Sequence, residues 1–207
     1  MELFEGDIGM IAEDFKIETE RLLLRPFFIE DCPAMLRIQS NPVMTEFTPD
    51  HPWKSIDDAY NFLHFAQKLY KDENIIEGFR YFFAVVEKNS NQVIGYCGIG
   101  GPEFDRTLTE VFYSIDHPFW GQGYATETTK ALLHYGFEHL NLKKIVGFAE
   151  KRNLASLRVL EKAGLIRKGV ISGMQAQYDY FNDEIYFELN KNEWVQGIYP
   201  NHAEKES

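Results

Sequence analysis

The residues Gly121-Gln122-Gly123-Tyr124-Ala125-Thr126 carry the most readily named chemistry in this chain of 207 residues. Two glycines and an alanine leave the backbone uncovered between an apolar run, Val111 to Ile115, and a helical pattern from about Thr126 to His139. The first N–H groups of a helix have no acceptor inside it and stand at the positive end of its dipole. Bare backbone at such a point takes an anion, and a phosphate ester is the obvious guest. A plain strand-to-helix turn would use the same residues, so the surroundings have to decide.

Two familiar phosphate motifs do not fit. No Gly-x-x-x-x-Gly-Lys-Ser/Thr run occurs in the chain. The dinucleotide fingerprint Gly-x-Gly-x-x-Gly fails at its third glycine, where Thr126 stands, and it normally opens a βαβ unit rather than following three strands. Charge supports an anionic guest nearby. The chain carries a net charge of −11, yet between Lys143 and Lys168 eight basic residues face only Glu150 and Glu161. A solvated helix face would show the same run. The acidic balance elsewhere argues against nucleic-acid binding and suits a cationic partner such as an amine.

The elements that must hold this stretch follow from periodicity. Thr19–Pro26 reads as a first strand ended by its proline, and Ile29–Gln39 as a helix closed by Asn41-Pro42. Ser55, with Asp58 three residues on, resembles the start of a helix running to about Tyr70. Three strands follow with no helix between them, Arg80–Glu87, Gln92–Gly100 and Leu108–Asp116, the first two joined by a polar turn of hairpin length. Beyond the glycine loop and its helix come a strand at Lys144–Ala149, a helix at Asn153–Ala163 stopped by Gly164, and strands at Leu165–Ile171 and Glu184–Leu189. The order β-α-α-β-β-β-α-β-α-β-β predicts an α/β fold, a mixed and mostly antiparallel sheet with helices packed on it. One domain is expected over residues 17–195, after an N-terminal extension (1–16) and before a C-terminal tail (196–207). No apolar run approaches a membrane span, and the acidic N-terminus resembles no leader, so a cytoplasmic protein is expected. Cys32 and Cys97 lack metal-ligand spacing, and no metal is expected.

Several motifs together resemble the GNAT acetyltransferase superfamily. Trp120-Gly121-Gln122-Gly123-Tyr124-Ala125-Thr126-Glu127 is similar to its acetyl-CoA pyrophosphate loop, Gln/Arg-x-x-Gly-x-Gly/Ala, with Trp120 at the Gln/Arg position as in the branch resembling ribosomal-protein-alanine N-acetyltransferases. Glu20-Arg21-Leu22-Leu23-Leu24-Arg25-Pro26, Val93-Ile94-Gly95 and Asn153-Leu154-Ala155-Ser156-Leu157-Arg158 extend the likeness over roughly residues 17–194. The resemblance implies acetyl-CoA as cosubstrate, its pyrophosphate held by the backbone N–H groups of Gln122, Gly123, Tyr124, Ala125 and Thr126. It also implies that strands 108–116 and 144–149 splay so that the pantetheine arm pairs with exposed backbone. Asn153 would both cap its helix and touch that arm.

Acyl transfer from a thioester needs a neutral amine, a donor for the oxyanion and a protonated leaving thiol. An alkyl amine of pKa ~10.4 is only about 0.04% neutral at pH 7, against about 15% for an α-amino group near ~7.8. Glu110, just before the loop, is the candidate base, and a backbone N–H near Tyr113 or Ser114 the candidate oxyanion donor. Many family members carry a tyrosine seven residues after the asparagine to protonate the thiolate; here that position is Leu160, and Ser156 is the substitute in the branch this chain resembles. Glu127 would repel the phosphates if it faced them and is expected to hold the helix start or a neighbouring loop. His117 reads as a turn residue, while Tyr178, Tyr180, Asn182 and Asp183 stand where this branch lines its acceptor site. The expected activity is direct acetyl transfer to a primary amine, a protein N-terminus or a small molecule. A non-catalytic acyl-CoA-binding module is the alternative, with a nicotinamide-binding oxidoreductase behind it. A homodimer is compatible with the sequence, although no helix shows an unexplained apolar seam.

Overall fold

Tyr81 to Val86 and Val93 to Ile99 are apolar on nearly every residue, which suits strands covered on both faces. The computed structural model, which describes residues 15–70 and 80–195, places them at the centre of one eight-stranded sheet. The strands are β1 (Ile17–Glu18), β2 (Leu22–Arg25), β3 (Arg80–Glu87), β4 (Gln92–Gly100), β5 (Glu110–Ile115), β6 (Lys144–Glu150), β7 (Ile166–Val170) and β8 (Glu184–Asn190). Their order across the sheet is β1-β2-β3-β4-β5-β6-β8-β7, and every neighbouring pair is antiparallel except β5–β6. The helices are α1 (Cys32–Gln39), α2 (Ile56–Tyr70), α3 (Tyr124–Glu138), α4 (Leu154–Ala163) and the short α5 (Lys191–Val195). The expected order therefore holds, with two additions.

One addition is a break in the first strand. Thr19 to Arg21 leaves the ladder in a turn closed by the Thr19 amide on the Leu22 carbonyl (2.9 Å), so β1 and β2 are separate strands. The other is α5, capped by Glu193, which accepts from the Asn190 amide (2.9 Å). Asp58 does what the capping-box pattern reserves for Glu or Gln, accepting from the Lys54 and Ser55 amides (2.7 and 2.9 Å) at the start of α2. The N-terminal extension and C-terminal tail lie outside the described residues except at Phe15 and Lys16. The Phe15 ring stacks on Phe83, with centroids 5.1 Å apart. No helix is long and apolar enough to cross a membrane, and no cluster of His, Cys, Asp and Glu suited to a metal occurs among the described residues.

Strand register gives the sheet two faces of different character. One face carries Phe83, Ile99, Val111, Tyr113, Ile145, Ala149 and Phe187, and is covered by α3 and α4. The other carries Phe82, Tyr96, Phe112 and Ser114, covered by α1 and α2: the Phe62 ring of α2 lies 5.4 Å from Phe82, and the Gln39 amide of α1 reaches the Ser114 hydroxyl (3.5 Å). The same second face continues through Glu110, Val146, Phe148, Glu150, Tyr186 and Glu184. The parallel pair holds at a single point, Glu110 with Val146, where the Val146 amide donates to the Thr109 carbonyl (2.8 Å). Beyond it no further β5–β6 pair forms, which leaves a wedge between the C-terminal parts of the two strands.

Candidate active site

The glycine loop begins where β5 ends. Asp116 is buried, its amide bonds the Ile94 carbonyl (2.7 Å), and its carboxylate pairs with Arg37 of α1. His117–Phe119 forms a single 3-10 turn, and the Trp120 indole N–H returns to the Ile115 carbonyl. Gly121 and Gly123 then adopt φ of +75° and +84°, backbone that a side chain disfavours. Gly123 is the residue preceding α3, and no side chain caps that helix. The first amide to find a carbonyl is that of Glu127, on Gly123 (3.0 Å). The N–H groups of Gln122, Gly123, Tyr124, Ala125 and Thr126 thus have no acceptor among the described residues. Orphaned donors at a helix start, held in place by two glycines, fit a pyrophosphate.

Glu127 points away from these donors, in keeping with the sequence. It accepts from the Thr19 hydroxyl (2.6 Å), the Arg21 amide (2.9 Å) and Arg21 Nε (2.7 Å), while Arg21 Nη1 donates to the Gln122 carbonyl (2.9 Å). Burial pushes the Glu127 carboxyl up, but these donors and the guanidinium outweigh it and hold it below the usual range. The Arg21 guanidinium also lies over the Tyr124 ring, 4.4 Å from its centroid. Turning the Gln122 carbonyl toward Arg21 leaves the neighbouring amides free to face the other way.

On the α3/α4 side of the wedge stand Asn153, Ser156 and Tyr113. Asn153 caps α4, its side-chain oxygen accepting from the Ser156 amide (3.0 Å). The Ser156 hydroxyl makes no hydrogen bond among the described residues, and the Tyr113 phenol reaches the Ser156 carbonyl at 3.5 Å. Burial drives that phenol to about 12. Leu160 is buried in the core; a Cβ on Gly147 would stand 2.9 Å from its side chain, so this position faces β6.

On the opposite side of the wedge stand the carboxylates. Glu110 is buried and paired with Arg80 (3.1 Å), whose guanidinium lies 4.2 Å from the centre of the Phe112 ring. Burial raises the Glu110 carboxyl, Arg80 opposes it, and the net displacement is upward. Glu184 lies on the same face at the level of Glu150, half-buried and without an ion-pair or side-chain hydrogen-bond partner among the described residues. Burial, then the carboxylates of Glu110 and Glu150, push it up to about 8. An aromatic cluster lines this space: Phe104 meets Phe181 and Phe148 with centroids 4.5 and 5.4 Å apart, and Phe148 stacks on Tyr186.

The family model described as "Acetyltransferase (GNAT) domain" matches residues 21–166. The chain belongs to the GNAT family. An uncharacterized N-acetyltransferase, p20, of Bacillus licheniformis is 27% identical over 177 residues, covering 86% of this chain and 97% of the relative. Two solved structures share the fold. A GNAT-family acetyltransferase from Bacillus anthracis is 24% identical with a TM-score of 0.72, covering 86% of this chain and 99% of its own. Spermidine N-acetyltransferase from Vibrio cholerae, solved with CoA and spermine, is 17% identical with a TM-score of 0.65, covering 86% and 99%. At those identities the likeness to the two structures is one of fold.

Within the GNAT frame, the structure brings together most of the residues singled out from sequence. The loop residues 122–126 share one helix start, and Tyr113, Asn153 and Ser156 share one side of the wedge, while Glu110 stands on the other. Of the expected acceptor-side residues, Tyr180 bonds Glu103 (2.9 Å), whereas Asn182 and Asp183 shape the chain through Asp179 and Lys151. Of the eight basic residues, Lys144, Lys151 and Arg152 are spent on Glu188, Asp183 and Glu150, while Arg158, Lys162, Arg167 and Lys168 are exposed. Arg21, Arg80, Phe104, Phe148 and Glu184 also lie in this region and were not singled out from the sequence as site residues. Only Arg21 gave a signal, since it lies in a motif quoted for the family.

Proposed function

We propose that this GNAT N-acetyltransferase transfers the acetyl group of acetyl-CoA directly to a primary amine that enters from the Glu110/Glu184 side of the sheet. The observation that carries this reading is the wedge: free amide donors at one end, and carboxylates with aromatic faces on the far side. Acetyl-CoA would supply an activated acetyl thioester. The N–H groups of residues 122–126 would hold its pyrophosphate, and the unpaired edge of β5 beyond Glu110, at Tyr113 and Ser114, would pair with its arm and offer an N–H to the oxyanion. Asn153 fixes the start of α4, so the Ser156 hydroxyl and the Tyr113 phenol stand where a departing thiolate needs a hydrogen bond. A thiol pKa of ~8.5 makes that demand small. Glu110, anchored by Arg80, would offer an incoming amine a carboxylate oxygen as hydrogen-bond acceptor. Acceptors that meet a negative, aromatic-lined entrance are cations, and a polyamine or a protein N-terminus both qualify.

The test has two arms. Acetyl-CoA should raise the melting temperature by several degrees at concentrations about 100 times Kd, and NAD should not. Thiol release is then followed with spermidine, a monoamine and peptides with alanine or serine N-termini. Stabilisation without turnover of any amine would return the chain to the binding-module alternative.

A further inference from the structure

We infer that Glu184, rather than Glu110, is the group that takes the proton from the acceptor's ammonium. The inference rests on the acetyltransferase reading of the wedge and assigns within it a catalytic residue.

Geometry separates the two carboxylates. Glu110 stands at the closed end of the wedge, where β5 and β6 still pair, and its oxygen is engaged by Arg80. Burial raises the proton affinity of Glu110 as well, but protonating it would leave the Arg80 guanidinium without its partner, a cost that Glu184 does not carry. Glu184 stands on the same face at the open end, level with Glu150, the last residue of β6, and one strand beyond it. Its backbone is fixed from the other side, where its carbonyl accepts from the Ile171 amide (2.9 Å), so only the side chain is free to act.

The charged groups around it are otherwise engaged. Glu110 has Arg80; Glu150 accepts from the amide and Nε of Arg152; Asp183 has Lys151. Along β8, Glu188 accepts from Tyr186 and pairs with Lys144, and across the aromatic cluster Glu103 accepts from Tyr180. Glu184 has no such partner among the described residues. Partly withdrawn from water, beside two other carboxylates and with no cation paired to it among the described residues, it is poised near pH 8. A base is most effective when its proton affinity lies near the working pH, and an incoming ammonium is the missing cation.

The step balances without a further reactant. The ionised Glu184 carboxylate takes one proton from R–NH3+, leaving R–NH2. The nitrogen forms the C–N bond as the C–S bond breaks, its surplus proton passes to the thiolate, and Glu184 returns its proton to water.

The full chain labelled with carboxyl-13C glutamate is titrated by NMR without ligand. One carboxyl should titrate near pH 8 and be absent from the spectrum of Glu184→Gln. With an amine the protein turns over, Glu184→Gln should lower kcat at pH 7.5 at least tenfold. It should also abolish the rise of kcat through about pH 8 and leave the KM for acetyl-CoA within twofold. Glu184→Asp, with a shorter reach, provides the kinetic comparison if the glutamine variant does not fold. A resonance near pH 8 that survives in Glu184→Gln and vanishes in Glu110→Gln overturns the assignment. So does wild-type kcat with an unchanged pH profile in Glu184→Gln. Absence of turnover with every amine, while acetyl-CoA still binds, instead removes the acetyltransferase reading and the proton role with it.

Discussion

Glu110 and Glu184 lie on one face of one sheet, and their surroundings give them different work. Arg80 balances the first, whereas the second faces carboxylates and ring faces. Such a side chain weakens the fold at the pH where it ionises. Below about pH 4.5 Glu184 is protonated in both folded and unfolded chains and costs nothing. Between there and its folded value of about 8 the folded state binds the extra proton, so stability falls as pH rises. Glu184→Gln should therefore melt about 2–4 °C above the native protein at pH 8.5, for a partly screened penalty on the order of 1 kcal/mol, and match it near pH 4.5. A variant that is less stable at pH 8.5 would show that Glu184 has a partner in the folded state. None of this was legible in the sequence, where Glu184–Leu189 read only as the last strand. The difference between Glu184 and Glu188 arises from register with β6, which pairs Glu184 with Glu150 and leaves Lys144 to Glu188.

The elements around the glycine loop act as two anchors. Asp116 ties its start to α1 through Arg37, and Glu127 ties α3 to the β1–β2 turn through Thr19 and Arg21. The second anchor explains why Thr19–Arg21 is a turn although its pattern reads as strand: the backbone leaves the ladder to bring the Arg21 amide and guanidinium onto one carboxylate. Local propensity could not show this, since the partner lies 106 residues away. The glycine turn itself was legible, because its requirements are local: glycine at positive φ and an uncapped helix start behind it, although the helix begins at Tyr124 and not at about Thr126. Glu127→Ala should cost about 2 kcal/mol, since it unpairs a part-buried guanidinium and several donors. It should also raise the Kd for CoA about tenfold as the Gln122 carbonyl loses its hold, with little change in kcat at saturation. The anchor depends on the ionised carboxylate, so its contribution is present at neutral pH and lost as pH falls below the usual carboxylate range. Calorimetric titration with CoA checks the prediction, and an unchanged Kd in a destabilised variant would confine Glu127 to the fold.

Around the opening between β5 and β6 charge is unevenly spread. The exposed cations Arg158, Lys162, Arg167 and Lys168 are carried by α4 and β7, on elements flanking the helix-covered side of the wedge. The carboxylates Glu103, Glu150 and Glu184 gather toward the opposite face, in a chain whose net charge is −11. Element order and the mixed sheet were readable from periodicity. This uneven spread was not, because it depends on which face each strand residue takes once the register is set. An anionic cosubstrate and a cationic acceptor would thus approach from opposite sides and meet where β5 and β6 part. The field at the acceptor entrance acts over a distance that salt shortens, from roughly 20 Å at 0.02 M ionic strength to about 6 Å at 0.3 M. Raising ionic strength over that range should increase the KM for a triamine such as spermidine several-fold and that for a monoamine by less than about twofold, because steering scales with ligand charge. The kcat should hardly move for either, since proton transfer and acyl transfer take place inside the wedge, where screening is weak. Steady-state kinetics at fixed saturating acetyl-CoA measures both constants. Equal salt sensitivity for the two amines would mean that the acceptor is recognised at its reacting nitrogen alone, without the carboxylates around the entrance.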